Sequence, residues 1–391
     1  MVECPRHGDP LRPLRGARRL CAVVLGAWLA GPGGPGAAAE LLYAPEGNRL
    51  RVLDVASEPP AERILIERAS LDPARGRDIN GPVCALPDGS GRFVAGEDTG
   101  QPERAAGWGV FTRDGRQVGK LVASSAARAP EPYGCAFDPQ GRLLTTEIGD
   151  PGFRRSNGQL ILWFPPYDRF PGRVPGEPED PATPGAASGQ HCKLATDLGT
   201  PGGVAVDGRG RVYVATASGM QILRFSPPFP TGPDAAGGCG QRDALGAPLA
   251  DAVQREVFSG PRWRAGLVTY TGLAFAPNGN LYASSVFTGR IGEFDPQGRL
   301  VRLVLRPRRR LPLPPFATGS PQGLAVDAQG ALYYADLDLR WSGWRVGPGP
   351  NGRIWRIGFD ADGAPSAPLL VREGLAFPDG LAFLPGELPD E

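Results

Sequence analysis

Six times between Asn80 and the C-terminus the chain repeats one short pattern. A turn residue and Gly lead into a small apolar run, a polar Gly turn and a second apolar run. The copies read NGPVCALPDGSGRFVAG from Asn80, YGCAFDPQGRLLTTEIG from Tyr133, GGVAVDGRGRVYVATAS from Gly202, TGLAFAPNGNLYASSV from Thr271, QGLAVDAQGALYYADL from Gln322 and DGLAFLPGE from Asp379. Their starts lie 51 to 69 residues apart. A unit of two β-runs around a Gly turn cannot bury its apolar faces alone. Repetition at this period lets the units cover one another in a radial array.

The last copy stops after a single run, at Leu384, and its missing partners stand at the other end. ELLYAPEG, NRLRVLDVA and AERILIERA, between Glu40 and Ala69, alternate as second, third and fourth strands of a blade. Sharing that blade between the termini closes the ring and removes two open sheet edges. The expected fold is therefore all-β, a six-bladed β-propeller of four-stranded blades whose last blade is closed by both termini. The copy from Thr271 displays a whole blade: GLAFAP, NLYASSV, RIGEFDP and RLVRLVL. Insertions at 165–190 and 226–250 follow WFPPY and RFSPPFP, so both are expected to leave a third strand as loops.

The first 39 residues read as an export signal. Arg12, Arg15, Arg18 and Arg19 precede the apolar run from Leu20 to Ala30, and Ala37, Ala38 and Ala39 offer a cleavage site before Glu40. The expected organisation is this segment, 1–39, followed by one propeller domain, 40–391, in a periplasmic or secreted monomer with no membrane span in the mature chain. Removing residues 1–39 leaves 37 cationic against 39 anionic side chains, a net charge of −2. Such a balance gives no attraction to nucleic acid. Four cysteines remain, and an even number in an exported chain favours disulfides. Cys192 and Cys239, both in insertions of neighbouring repeats, are expected to pair. Cys84 and Cys135 hold equivalent places on adjacent inner strands, where a bridge or two buried thiols are both open.

Only two histidines, His7 and His191, occur in the chain, which excludes a multi-His zinc site and argues against a His-based triad. There is no G-x-S-x-G, H-E-x-x-H or Walker sequence either. Chemistry is expected at the channel mouth, where the residue before each repeat's Gly points: Asn80, Tyr133, Gly202, Thr271, Gln322 and Asp379. The second strands end on the same face, adding Glu97, Asp98, Glu147, Asp150, Asp336 and Asp338. Trp108, Tyr270, Phe316, Trp341 and Trp344, from connecting segments, are candidates for an aromatic wall over the mouth.

NGPV at Asn80, PQG at Pro321 and PDG at Pro378 make the chain resemble the six-bladed lactonases of the regucalcin and gluconolactonase family, and more loosely the NHL-repeat propellers. In that family a Glu in E-x-P-V, an Asn in PNG and an Asp in PDG hold one divalent cation that activates a lactone. The resemblance implies a lactonase or esterase-type hydrolase of a small lactone or ester. Asn80, Gln322 and Asp379 would be metal ligands, calcium the expected cation, and Tyr133 and Thr271 substrate-positioning groups. Glu131 is the candidate general base. Asn80 stands where the family has Glu, and Gln322 where it has Asn. A second alignment, on RDING at Arg77, puts Tyr133 and Gly202 at metal positions and Asp379 in place of the Glu. These departures and the long Pro-rich insertions leave an alternative open: a non-catalytic NHL-type propeller binding a glycan, peptide or protein partner.

Overall fold

In a computed structural model of the chain, the described residues are 40–47, 49–67, 79, 81–97, 107–123, 132–147, 158–168, 189–234, 236–243, 247–307, 314–342 and 345–388. All fall in one compact unit, Ala38–Glu391, and the expected export segment lies outside them. They form six blades, each built on four antiparallel strands, with two further strands added to the third blade and a separate two-stranded hairpin, and there is no α-helix among the described residues. Blade 1 joins both ends of the domain: Ala382–Pro385 is its inner strand, followed by Glu40–Glu46, Arg49–Asp54 and Ala61–Ile66. Blade 2 comprises Val83–Ala85, Phe93–Glu97, Gly107–Phe111 and Gln117–Leu121. Blade 3 comprises Pro132–Phe137, Leu143–Glu147, Gln159–Phe164 and Gln190–Ala195. Blade 4 comprises Pro201–Val206, Val212–Thr216, Gln221–Ser226 and Gln254–Ser259. Blade 5 runs Tyr270–Phe275, Leu281–Ser285, Arg290–Phe294 and Leu300–Leu305, the four strands legible in its repeat. Blade 6 comprises Pro321–Val326, Leu332–Asp336, Gly352–Ile357 and Leu369–Leu375.

Strand alternation sends successive side chains to opposite faces, so each blade packs on two neighbours at once. In blade 3, Leu143, Ile161 and Trp163 pack on Val94, Trp108 and Val110 of blade 2. One residue on, Leu144, Leu160 and Leu162 pack on Val204, Val212 and Val214 of blade 4. Each of the six blade interfaces has its own apolar cluster in this way. Each fully buried large side chain there contributes about 1.5–3 kcal/mol.

The inner strands touch in sequence and close the ring. Glycine makes that approach possible. A methyl group on Gly203 would stand 2.9 Å from the Thr271 carbonyl oxygen, and one on Gly323 2.6 Å from that of Asp379. At Gly272 it would overlap the Gln322 carbonyl oxygen. This steric demand explains why the repeat carries Gly at its second position. Hydroxyls tie two of the junctions: Thr146 donates to the Gly202 carbonyl (2.5 Å) and Ser284 to that of Gln322 (2.9 Å).

Both disulfides form, Cys84–Cys135 and Cys192–Cys239, each with a Cα separation of 6.1 Å. The first joins the inner strands of blades 2 and 3, which decides for the bridge over buried thiols. The second fastens the insertion that leaves blade 4 after Ser226. That insertion is more than the expected loop. Its short strands Gln241–Arg242 and Pro248–Leu249 pair with each other, and Leu249 pairs in parallel with Lys193, so blade 3 becomes a six-stranded sheet. Lys193, buried, pairs with Asp243 of the same insertion at 2.5 Å. Most of the other insertion, at 165–190, lies outside the described residues.

Candidate functional site

Each inner strand of blades 3 to 6 carries a register shift at its first residues, beside the repeat's Gly. A bulge of this kind re-aims the side chain next to it. All six blades contribute, through their inner strands or the residues leading into them, to one cavity of about 60 Å3 on the ring axis. Tyr133, Thr271, Gln322 and Asp379, four of the six residues expected to line the channel or bind there, share it. Thr271 and Gln322 are buried, while Tyr133 and Asp379 are half-buried. The Thr271 hydroxyl is engaged by Ser284 at 3.0 Å. Asn80 and Glu131 lie outside the described residues.

As cation ligands, Gln322 and Asp379 supply one amide and one carboxylate. Among the described residues no three His, Cys, Asp or Glu side chains gather as a metal-binding group. The oxygens present suit calcium in kind, but a single carboxylate gives less charge than strong calcium sites use.

The acids at the ends of the second strands follow a different logic. Pairing registers align Glu46, Glu97, Glu147, Thr216, Ser285 and Asp336 as one position in the six blades. Most are absorbed within their own blade. Glu46 binds Arg51 (2.6 Å), Glu97 pairs with Lys120 (3.1 Å) and accepts from Gln117, and Thr216 donates to the Gln221 carbonyl. Glu147 accepts from Gln159 Nε2 at 2.8 Å. Burial pushes its pKa up to about 7, against the pull of Gln159, Lys193 and the Trp108 indole. Asp98 and Asp150 lie outside the described residues.

The position in blade 6 is built differently. Asp336 Oδ1 accepts the backbone N–H groups of Ser320 (2.7 Å) and Asp338 (2.8 Å), while Oδ2 makes no well-formed hydrogen bond and has Arg353 at 3.9 Å. Burial raises the Asp336 pKa, and the two N–H donors, the Trp355 indole and Arg353 oppose the rise. Asp336 opens onto a second cavity, of about 430 Å3, with Phe316, Asp338, Trp341 and Arg353 among its walls.

The expected aromatic wall divides accordingly. Trp108 and Tyr270 are fully buried in the blade 2–3 and blade 4–5 cores. Period-2 alternation turns them inward, which corrects the expectation for both. Phe316 and Trp341 do reach a cavity, though not the axial one. Trp344 lies outside the described residues. His191 is buried against Trp163, with ring centroids 4.9 Å apart, and burial lowers its pKa.

Fold and mouth together define the class: a six-bladed β-propeller with a small polar cavity on its axis. No family model matches the sequence, and no curated protein matches it significantly. Among solved structures the chain is similar to a protein of unknown function from Bacteroides caccae, at 14% identity and a TM-score of 0.49, over 89% of this chain and 99% of that one. It is also similar to virginiamycin B lyase from Staphylococcus aureus, at 10% identity and a TM-score of 0.46, over 82% of this chain and 76% of that one. A streptogramin B lyase gives 10% and 0.46 over 86% and 80%. Likeness at this level carries no argument about activity.

Proposed function

We propose that the protein is an exported propeller that recognises a small polar molecule at the mouth of its central channel. The observation that supports this reading is the convergence of Tyr133, Thr271, Gln322 and Asp379, one from each of four blades, on a single axial cavity. Hydroxyl, amide and carboxylate groups among closely packed glycines form a rigid set suited to a hydroxyl- or carbonyl-bearing ligand. At about 60 Å3 the cavity takes only the tip of such a ligand, and the remainder lies across the mouth. Two disulfides accord with an oxidising compartment, the periplasm or the cell exterior. No helix among the described residues is long and apolar enough to cross a membrane.

Asp379 and Gln322 standing in one cavity favours a second reading, hydrolysis of a small lactone or ester. In it those two side chains would hold a calcium ion together with Asn80, and the ion would polarise the carbonyl. Glu131 is then the base that takes a proton from water, Tyr133 orients the substrate, and the buried Thr271–Ser284 pair keeps the rim in register.

One experiment separates the readings: calorimetric titration of the full chain with gluconolactone, with and without calcium, beside an assay of ring opening. Recognition alone predicts saturable binding, no turnover, and affinity reduced about tenfold or more in Asp379→Ala. Calcium-dependent turnover that is abolished by Asp379→Ala establishes the hydrolase instead. Neither binding nor turnover contradicts both.

A further inference from the structure

The cavity beside blade 6 is not part of the axial site. Its floor is the end of the second strand, at Asp336, and the loop before the inner strand, at Gly319 and Ser320. Its wall is a hairpin between the second and third strands, Arg340–Ser342 paired with Arg345–Gly347. In blades 4 and 5 the same connection is a short turn. The hairpin is rooted by Leu337 and Leu339, which pack on Val286 with Val346 and Phe377 alongside.

Two residues that line this cavity carry a buried polar atom with no well-formed hydrogen bond: Asp336 Oδ2, which has the Trp355 indole and Arg353 beside it, and the Ser320 hydroxyl. Both residues are almost wholly shielded, Asp336 at 0% and Ser320 at 1% exposure. Buried polar groups in native folds are as a rule satisfied, so two orphans in one cavity ask for an occupant. The backbone holds them there. A side chain on Gly319 would overlap the Asp336 carboxylate, and the two N–H groups on Oδ1 fix which oxygen is left without a backbone donor. Arg353 stands 3.9 Å from Asp336 and 3.9 Å from Glu373, beyond hydrogen-bond reach of either. Arg340 pairs with Asp338 at 2.8 Å.

The chemistry of the occupant follows from this inventory. Two carboxylates and two guanidiniums balance in the lining, so the cavity selects neither an anion nor a cation by charge. An unpaired carboxylate oxygen accepts from a hydroxyl, a nearby guanidinium donates to one, and a serine hydroxyl does either. At the rim Trp341 is 45% exposed, opposite Phe316. An exposed indole offers a flat apolar face with a polar edge. A volume of about 430 Å3 falls in the range of small-molecule sites, roughly 300–1,000 Å3. From the meeting of orphaned Asp336 Oδ2 and Ser320 Oγ with Arg353 and the exposed Trp341, we infer that blade 6 carries a second site, for an uncharged saccharide. Vicinal hydroxyls bridge Asp336 and Arg353, and the C–H face of the ring lies on Trp341.

The test is 19F NMR of the full chain labelled with 5-fluorotryptophan, with the Trp341 signal assigned from Trp341→Phe. The probes are maltose, galactose and N-acetylglucosamine, with sodium sulfate and calcium chloride as ionic controls. At least one sugar is expected to move the Trp341 signal saturably at millimolar concentration. Binding followed at the Trp341 signal should weaken about tenfold or more in Asp336→Asn and Ser320→Ala, and binding by calorimetry likewise in Trp341→Ala. Trp341 is a rim residue and Asp336→Asn keeps its Oδ1 acceptor, so these variants retain the fold, which a thermal melt verifies. The inference is overturned if no sugar moves the signal, as for a cavity holding only water. It is equally overturned if only sulfate or calcium moves it, or if Asp336→Asn and Ser320→Ala bind sugar like the parent protein. Loss of sugar binding in Asp379→Ala would assign the binding to the axial site instead.

Discussion

Two insertions leave the regular blades and are put to opposite uses. The one from blade 4 turns back onto its neighbour. It adds two short strands to blade 3, closes the Cys192–Cys239 bridge and pairs Asp243 with buried Lys193. The one from blade 6 stands up as a hairpin beside a cavity, leaving Asp336 Oδ2 and Ser320 Oγ without hydrogen bonds and Trp341 in solvent. Clamp and cavity wall are built from similar materials, a short antiparallel pair with acidic and basic side chains. What separates them is satisfaction: the clamp closes its polar groups on each other, and the cavity wall holds some of its own in reserve. A region that leaves buried polar groups unpaired gives up stability that a bound ligand restores.

The largest effect should come from the clamp. Lys193→Ala removes the buried cation that Asp243 pairs with and is expected to cost about 3–5 kcal/mol in chemical denaturation. If it costs no more than a surface substitution, blade 3 does not depend on the exchanged strands. Removing the bridge with Cys192→Ser and Cys239→Ser together should cost about 2–5 kcal/mol, seen as a lower melting temperature under non-reducing conditions. Equal melting of the variant and the parent would mean the insertion is held by pairing alone.

A third prediction concerns Glu147, at the position in blade 3 that Asp336 occupies in blade 6. Its carboxyl titrates near pH 7 when folded, against 4.5 ordinarily, because burial disfavours the charged form. The unfolded chain therefore gives up its proton first. Stability should fall as pH rises from about 4.5 to about 7 and then level off. Glu147→Gln should flatten that decline and gain on the order of 3 kcal/mol above neutral pH. A decline unchanged in the variant assigns it to another group. The smallest effect belongs to the cavity wall: Trp341→Ala should change stability by only about 0.5 kcal/mol or less without ligand. A larger loss would make the hairpin a second clamp.

The repeat made the ring legible because every blade needs the same Gly where inner strands meet and the same alternation to face two neighbours. The termini could be joined into blade 1 for the same reason. Tyr133, Thr271, Gln322 and Asp379 were legible as a group because each sits at a fixed offset before that Gly. Gln241–Arg242 and Pro248–Leu249 were not, since strands of two residues carry no period. Trp108 and Tyr270 misled because their aromatic character says nothing about which face of a strand they take. Asp336, Phe316 and Trp341 stood out singly. That they enclose one cavity depends on how the loop at 314–320 meets the hairpin, a long-range approach that no local pattern encodes.

The most direct test of the division between clamp and cavity wall is the melting shift produced by maltose, galactose or N-acetylglucosamine in three proteins: the parent chain, Lys193→Ala and Trp341→Ala. The account predicts a positive shift with at least one sugar in the parent, an undiminished shift from a lower baseline in Lys193→Ala, and little or no shift in Trp341→Ala. No shift in the parent, or an equal shift in Trp341→Ala, would contradict it.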